Sequence, residues 1–365
     1  QTVYFSDFIN TMLALGCVTA MILSATSTRT VTSLGSSVVR RAARRVSTVH
    51  ASDSEFDSYT AKSPFLFPGQ GAQTVGMAVE VCASVPAAKA LFDEASEVLG
   101  YDLLDKCAKG PKESLDSTVV SQPAIFVSSL AAVEKLRAEG GEEAIAKADV
   151  AAGLSLGEYT ALAFAGAFSF ADGVKIVKAR GEAMQAAADA TKSGMVSVIG
   201  LDKETVAALC EMASEQSGEK VQLANLLCKG NYAVSGALAA CEKVGELAKP
   251  EFKARMTVPL AVAGAFHTDF MAPAVPTLVD VLEGVTISKP RIPVISNVDA
   301  APHSDPAVIK KLLAQQVTSP VQWETTVGHL LDRGMKSGYE LGPGKVLAGI
   351  IKRIDKSVEI TNIEV

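Results

Sequence analysis

The stretch DVAAGLSLGEYTALAFAGA, residues 149–167, joins a short apolar run to the pattern G-x-S-x-G and then to an alanine-rich segment of high helix propensity. This order is typical of a nucleophile elbow, in which flanking glycines let a strand and a helix approach closely. The stretch predicts Ser155 as a nucleophile, with the Leu156 N–H at the helix N-terminus beside a developing oxyanion. An ordinary turn is the alternative, because chains rich in small residues produce G-x-S-x-G by chance.

A serine hydroxyl needs a base to take its proton, and the chain has four histidines. His50 lies in a basic N-terminal segment, His303 in the polar turn APHSDP and His329 in a segment of helical pattern. His267 follows a strand-like apolar run in PLAVAGAFHTDFM, at a small-residue loop of the kind that often carries catalytic side chains. We predict His267 as the base, and a hydrogen-bonded structural histidine is the alternative.

The composition indicates a globular protein of one or two domains, because 48% of the 365 residues are hydrophobic and 20% are charged. The formal net charge of -6 and the lack of basic stripes with interleaved aromatic residues argue against a nucleic-acid-binding surface. The six cysteines are scattered without C-x-x-C pairs, which predicts free thiols in a reducing compartment.

Residues 1–60 have the composition of a targeting leader, since they contain five arginines and only one acid, Asp7, before Asp53. The apolar stretch Met12–Leu23 is shorter than the roughly 20 residues that a membrane span needs, so we expect no stable membrane association. We interpret it as the core of a signal peptide. A signal peptide followed by a transit peptide predicts import into a plastid, with the mitochondrion or a disordered tail as the alternatives.

The segment SFADGVKIVKARGEAMQ begins with the S-x-x-D pattern of a helix N-terminus. Its spacing places Arg180 on the same face as Val177 and Met184. An arginine on an apolar face needs a partner, and a carboxylate suits the fork geometry of its guanidinium group. The segment therefore predicts either an internal salt bridge or a binding site for a substrate carboxylate.

Several segments resemble, in order, the signatures of malonyl-CoA:acyl carrier protein transacylases. They are FPGQGAQTVGM at 67–77, GLSLGEYTALAFAG at 153–166, the Arg180 segment, GAFH at 264–267, SPVQW at 319–323 and ELGPGKVL at 340–347. Together they cover nearly everything after residue 60, and GLSLGEYTALAFAGAFSF and NYAVSG are similar to plant and algal plastid members. Many bacterial members have histidine before the nucleophile, where this chain has Leu154, so that neighbour is not the base here.

The resemblance implies that Ser155 attacks a malonyl thioester and that His267 acts first as general base and then as general acid. It implies an oxyanion hole formed by the backbone N–H groups of Gln70 and Leu156. It also implies that a backbone carbonyl of Gln322 orients the histidine. Without the resemblance, Gln70 would belong to an ordinary Pro-Gly turn and Gln322 would be a packing residue.

For the substrate, the resemblance implies that Arg180 binds the free carboxylate of the malonyl group. Phe266 resembles the bulky residue associated with selection of malonyl over methylmalonyl groups, and core packing is its alternative role. The expected partners are malonyl-CoA and acyl carrier protein, the expected purpose is fatty acid synthesis, and we expect a monomer without a cofactor. The rival hypotheses are a serine hydrolase, a catalytically silent carrier-protein or assembly module, and a transferase for methylmalonyl or acetyl groups.

The patterns in residues 194–260 predict the βαββαβ order of ferredoxin-like domains. We predict an α/β fold with an α/β-hydrolase-like subdomain formed by residues 61–190 and 261–365. A ferredoxin-like insert at 191–260 would leave the active site in the cleft between the two. Asn225 lies at the end of a predicted insert strand, where it is either a cleft residue or a turn residue.

Overall fold

The computed structural model describes residues 55–365, and these residues belong to one compact unit. The first 54 residues of the predicted leader, with Cys17, lie outside the described part, so the leader stays a prediction. Its last residues contact the folded chain, because Glu55 forms an ion pair with Lys289 and the Thr60 hydroxyl donates to Asp149 Oδ2 at 2.6 Å. The folded part of the chain therefore begins before residue 61.

Two β-sheets organise the described chain. The first is parallel and consists of β1 (Pro64–Phe67), β2 (Val150–Gly153), β7 (Val294–Ile295), β8 (Ser337–Leu341) and β9 (Glu359–Ile363), in the order β7-β2-β1-β8-β9. The second is antiparallel and consists of β3 (Ser193–Ile199), β4 (Val221–Cys228), β5 (Asn231–Ala237) and β6 (Met256–Pro259), in the order β4-β5-β3-β6.

The helices before the second sheet are α1 (Val79–Ser84), α2 (Pro86–Leu99), α3 (Leu103–Lys109), α4 (Lys112–Asp116), α5 (Thr118–Ala138), α6 (Glu142–Ala146), α7 (Leu156–Phe164) and α8 (Phe170–Asp189). Those within and after it are α9 (Lys203–Ser217), α10 (Leu238–Ala248), α11 (Val275–Glu283), α12 (Pro306–Gln316), α13 (Trp323–Asp332) and α14 (Val346–Ile354). A 3-10 helix, Asp269–Ala274, precedes α11.

Strands β1 and β2 of the parallel sheet are buried on both faces, as their continuous apolar sequences PFLF and VAAG require. Successive side chains of a strand point to opposite faces of the sheet. Phe65 and Phe67 accordingly pack in a cluster with residues of α2, α5, α7 and α8, whereas Leu66 packs with residues of α13 and α14. Helices on both sides of a parallel sheet are the arrangement expected of a large α/β subdomain.

The second sheet follows the element order β3-α9-β4-β5-α10-β6 and so has the predicted ferredoxin-like pattern. One of its faces, with Val196 and Val234, packs against α9 and α10. The other face, with Met195 and Ala233, packs against α8 and against Phe266. The predicted α/β fold with a small inserted subdomain is confirmed, whereas the division at 190/191 and 260/261 stays a prediction, because the described residues form one compact unit.

Helix α5 runs through the core of the large subdomain. It is the one helix within residues 55–365 that is long and apolar enough to cross a membrane, but 72% of its most apolar window is buried inside the protein. It contacts α2 and α8 and contributes Phe126 to the same cluster as Phe65. Its apolar character is therefore accounted for by the core of this fold.

Candidate active site

The predicted elbow is a sharp connection between the end of β2 at Gly153 and the start of α7 at Leu156. Ser155 stands between them with φ 53° and ψ -105°, a backbone conformation that L-residues rarely adopt. A Cβ at Gly153 would lie 2.0 Å from the Gly157 backbone, and a Cβ at Gly157 would lie 2.1 Å from the Phe67 carbonyl oxygen. Only glycine allows β2, α7 and the end of β1 to come this close.

Asn297 stabilises this connection by two hydrogen bonds. It lies two residues after β7, the strand that pairs with β2. Its Oδ1 accepts a hydrogen bond from the Ser155 backbone N–H at 2.6 Å, and its Nδ2 donates to the Gly153 carbonyl at 2.8 Å. Asn297 is 1% exposed, so both bonds are shielded from water. A side chain 142 residues away thereby stabilises the strained backbone on both sides of the turn.

His267 lies beside Ser155, with 2.9 Å between its Nε2 and the serine Oγ. Its Nδ1 is 2.9 Å from the backbone oxygen of Gln316, which can only accept, so Nδ1 carries the proton and Nε2 is free to accept one. Burial, together with the positive charge of Arg180, lowers the pKa of His267 to about 4. The imidazole is therefore neutral at pH 7, as a general base must be.

The carbonyl that orients His267 belongs to Gln316, so the assignment of this role to Gln322 is wrong. The Gln322 carbonyl instead accepts from the Thr326 N–H at 2.9 Å, as the first hydrogen bond of α13. Gln316 is the last residue of α12, and the last carbonyls of a helix have no partner within it. A carbonyl at the end of a helix can accept a hydrogen bond from a histidine, whereas a carbonyl at the start of a helix already accepts one from the backbone of the next turn.

Arg180 is 1% exposed and reaches Ser155 from α8, with 3.0 Å between its Nη2 and the Ser155 Oγ. Its other partners are side-chain amide oxygens, because Nη1 donates to Gln122 Oε1 and Nη2 to Gln316 Oε1, each at 2.8 Å. Its guanidinium carbon lies 5.0 Å from the centre of the Tyr159 ring. Within residues 55–365 its Nε has no hydrogen-bond partner. The groups that accept hydrogen bonds from the cation are thus all neutral.

Gln70 follows β1 on a loop that packs directly against the elbow. A Cβ at Gly69 would lie 2.2 Å from the Leu154 carbonyl oxygen, so the loop can approach the turn only because residue 69 is glycine. Leu156 is the first residue of α7, and the first N–H groups of a helix have no carbonyl partner within it. The two predicted oxyanion donors therefore stand on adjoining backbone segments next to Ser155.

Residues 64–365 match the family described as "Acyl transferase domain". The chain is 42% identical over 299 residues to the malonyl CoA-acyl carrier protein transacylase of Bacillus subtilis (strain 168), a match that covers 82% of this chain and 92% of the relative. It is 45% identical over 302 residues to the mitochondrial malonyl-CoA-acyl carrier protein transacylase of Mus musculus, with 80% and 78% covered.

The chain belongs to the malonyl-CoA-acyl carrier protein transacylase family. The solved structure of the family member from Coxiella burnetii superposes with a TM-score of 0.79 at 37% identity, covering 84% of this chain and 95% of that one. A second structure shows a malonyl-transacylase in complex with its type II PKS acyl-carrier protein; it matches with a TM-score of 0.78 at 34% identity, covering 82% of this chain and 95% of that one. Both have the mixed α/β fold described above.

The remaining predicted residues of this transacylase-family site lie on the insert side. Phe266 is 5% exposed and packs with Met195 and Ala233 of the second sheet. Asn225 lies inside β4 rather than in a turn, and β4 bridges to Val321 at this position. The Asn225 Oδ1 is buried without a hydrogen-bond partner among the described residues. Phe266 directly precedes His267, and Asn225 pairs with Val321, which lies in the loop after Gln316.

Sequence reasoning missed Glu158, Gln122, Asn297 and Gln316 around the transacylase-family site. Glu158 is 3% exposed, and its Oε2 accepts from the Asn297 N–H at 2.9 Å and from Gln316 Nε2 at 2.6 Å. Burial is the largest cause that raises the pKa of Glu158 to about 7. One signal was available, because Glu158 is a charged residue one turn into a helix that is otherwise apolar.

Proposed function

We propose that the protein transfers a malonyl group from malonyl-CoA to the phosphopantetheine thiol of acyl carrier protein through a malonyl-Ser155 ester, for fatty acid synthesis. One observation carries the proposal: Ser155 Oγ lies 2.9 Å from a neutral imidazole and 3.0 Å from a buried cation. The imidazole activates the hydroxyl, and the cation suits an acyl group that ends in a carboxylate.

In the first half-reaction, His267 Nε2 takes the hydroxyl proton while Ser155 Oγ attacks the thioester carbonyl. The backbone N–H groups of Gln70 and Leu156 stabilise the oxyanion that forms. When the intermediate collapses, the bond to sulfur breaks and the coenzyme A thiolate takes the proton back from His267. The product is a malonyl ester of Ser155, and the imidazole is neutral again.

In the second half-reaction the carrier thiol gives its proton to His267 and its sulfur attacks the ester carbonyl. The same two N–H groups stabilise the second oxyanion, and Ser155 leaves with the proton from the imidazole. Gln316 keeps Nδ1 protonated through its carbonyl, so Nε2 accepts and donates the proton in both halves. No metal or organic cofactor enters either step of the proposed reaction.

Arg180 binds the free malonyl carboxylate in this proposal. Its present partners are neutral amide oxygens, so an incoming carboxylate gains a charge-assisted interaction without displacing another anion. A hydrolase of neutral esters has no use for such a cation, which favours the transferase over the serine hydrolase. Phe266 is proposed to restrict substituents next to the malonyl carbonyl. The Asn225 Oδ1, which has no partner among residues 55–365, is proposed to accept from the substrate chain.

The cellular setting is proposed from the sequence. The basic, acid-poor composition of residues 1–60 supports a leader for a plastid, as in plant and algal members of the family. The mitochondrion is the alternative destination, and relatives from mouse and human carry that location in their names. We further propose a monomer without stable membrane association, and two subdomains divided at residues 190/191 and 260/261.

The test is intact-protein mass spectrometry of the full chain after incubation with malonyl-CoA. We expect a mass increase of one malonyl group, absent from Ser155→Ala and reduced in Arg180→Ala. Lys175→Ala removes an exposed cation from the same helix as a matched control and should acylate normally. Added carrier protein should then collect the malonyl group. Release of malonate to water at the same rate with and without carrier would instead establish a hydrolase.

A further inference from the structure

Gln316 forms hydrogen bonds with His267, Arg180 and Ser155. Its backbone carbonyl accepts from His267 Nδ1 at 2.9 Å, and its side-chain Oε1 accepts from Arg180 Nη2 at 2.8 Å. Its Nε2 donates to the Ser155 carbonyl at 3.0 Å. The residue has no exposed surface. The orientation of one amide group therefore bears directly on where the Arg180 guanidinium group lies.

Glu158 and the Ser155 carbonyl both favour one orientation of this amide, because each accepts a hydrogen bond from Gln316 Nε2. The Glu158 Oε2, in the first turn of α7, accepts from Gln316 Nε2 at 2.6 Å, on the side of the amide opposite Arg180. If the amide flipped, its NH2 group would face the donors of Arg180 and its oxygen would face the Glu158 carboxyl. The NH2 group would then oppose the Arg180 donors, and the amide oxygen would oppose the Ser155 carbonyl oxygen and, when it is ionised, the Glu158 carboxylate. Unmatched polar groups of this kind are costly in a buried site.

We propose that Glu158 is a positioning residue for acylation: through Gln316 it keeps the Arg180 guanidinium group where the malonyl carboxylate binds. This inference rests on the proposed function and names a residue that acts on the site without touching the substrate. Both of the hydrogen bonds that Glu158 accepts end on Oε2, so a proton on Oε1 leaves both acceptor contacts in place. The role therefore requires an oxygen at this point rather than a full charge.

Loss of this oxygen should affect malonyl and acetyl groups differently. Without Glu158, only the Ser155 carbonyl and Arg180 oppose a flip of the Gln316 amide, so its oxygen should face Arg180 for a smaller fraction of the time. A malonyl group depends on Arg180 through its carboxylate, whereas an acetyl group has no carboxylate to bind. A charge-assisted hydrogen bond corresponds to about 10- to 100-fold in rate, so the ratio of malonyl to acetyl acylation should fall by about that factor. A partly unfolded protein would instead lose both activities equally.

The experiment measures the rate of acyl-enzyme formation on Ser155 of the full chain with malonyl-CoA and, separately, with acetyl-CoA. Glu158→Ala and Gln316→Leu should both lower the malonyl-to-acetyl ratio, and the double variant should lower it no further than Gln316→Leu alone. Glu158→Gln supplies an oxygen at the same place and should keep the ratio within about threefold of wild type. These rates are corrected for the folded fraction by thermal unfolding.

Glu340→Gln is the matched control, because Glu340 is another fully buried carboxyl that accepts backbone N–H groups, from Leu347 and Ala348. It should lower thermal stability and leave the ratio unchanged. The inference is overturned if Glu158→Ala or Gln316→Leu keeps the wild-type ratio. It is also overturned if Glu158→Gln lowers the ratio as far as Glu158→Ala does. If Glu158→Ala does not fold, the malonyl-to-acetyl ratios of Gln316→Leu and Glu158→Gln are judged by the same criteria. Failure of the wild-type chain to form a malonyl ester on Ser155 would instead refute the proposed function.

Discussion

Replacement of Gly157 by alanine tests whether the close approach at the elbow is required for acylation. The new Cβ would lie 2.1 Å from the Phe67 carbonyl oxygen, and Cβ atoms in real structures essentially never come within 3.0 Å of such an atom. The two backbones must therefore separate by about 0.9 Å. Because the other obstructing atoms also belong to backbone, a side-chain rotation does not relieve the contact.

A displacement of this size acts on the distances that Ser155 needs. Its hydroxyl lies 2.9 Å from His267 Nε2 and 3.0 Å from Arg180 Nη2, so an added 0.9 Å takes either contact beyond hydrogen-bond range. Misplacement of a reacting group by about 1 Å costs on the order of 100-fold in rate. Overpacking should also cost about 1 to 3 kcal/mol of the free energy of unfolding.

The assay is the initial rate of malonyl-enzyme formation by intact-protein mass spectrometry, with the folded fraction taken from thermal unfolding. Gly349→Ala is the control, since nothing lies within 4 Å of a Cβ there and the residue is exposed on α14. We expect Gly157→Ala to lose about 100-fold in rate while it remains folded at the assay temperature. Folded Gly157→Ala that acylates within about threefold of wild type would refute the argument from backbone approach.

Four further predictions follow from the same contacts. Glu158→Gln removes a buried carboxyl whose pKa is raised to about 7, and in this variant acylation should stay on its plateau from pH 8 to about pH 5.5, because the pKa of His267 is about 4. A base with a pKa of 6.5 would be about nine-tenths protonated at pH 5.5 and would lose rate accordingly. Gly349→Ala should raise the free energy of unfolding by about 0.5 to 1 kcal/mol in urea denaturation, since alanine restricts the unfolded chain. Phe266→Leu should raise methylmalonyl relative to malonyl acylation by roughly 10-fold in competition experiments, and an unchanged ratio would assign Phe266 to the core. Gln322→Ala should acylate within about threefold of wild type, because the carbonyl that orients His267 belongs to Gln316.

The buried neutral state of His267 also affects stability, with a definite sign. Its folded pKa of about 4 lies below the ordinary value of 6.5, so the folded state binds fewer protons than the unfolded state between those values. The stability from the neutral imidazole is complete above about pH 6.5 and is lost as the pH falls towards 4. Glu158 has the opposite sign, because its raised pKa favours the folded state at low pH and this contribution is lost as the pH rises from 4.5 to about 7.

Local sequence patterns were sufficient for the elements that depend on neighbours along the chain. The elbow needs a strand, two glycines, a serine and a helix in one continuous stretch, and all of them are visible in residues 149–167. The βαββαβ order of the insert is likewise a succession of local periods. The elements that close the parallel sheet were not predicted in order, because the pairing of β2 with β7 joins segments more than 140 residues apart.

Residues whose role depends on a contact distant in sequence could not be predicted from local patterns. Asn297 supports the elbow only because β7 pairs with β2, so its role follows from strand order rather than from its neighbours. The Gln322 error has a similar origin: a family motif identifies a glutamine by the residues around it, whereas the bond to His267 depends on which helix ends there. Every residue has a backbone carbonyl, so a sequence pattern does not show which carbonyl accepts from the histidine.

The hydrogen-bond partners of Arg180 hold this buried cation without forming an ion pair that an entering carboxylate would have to break. A buried cation held directly by a protein carboxylate would be a formed ion pair, and a malonyl carboxylate could bind only by breaking it. Here the nearest acceptors are the amide oxygens of Gln122 and Gln316, and the Glu158 carboxyl stands behind Gln316 rather than against the guanidinium group. The amides fix the position of the cation while leaving it without a bound anion among the described residues. Such an arrangement is preorganised for the role proposed for Arg180, which is to bind a carboxylate that enters with coenzyme A and leaves with the carrier in every turnover.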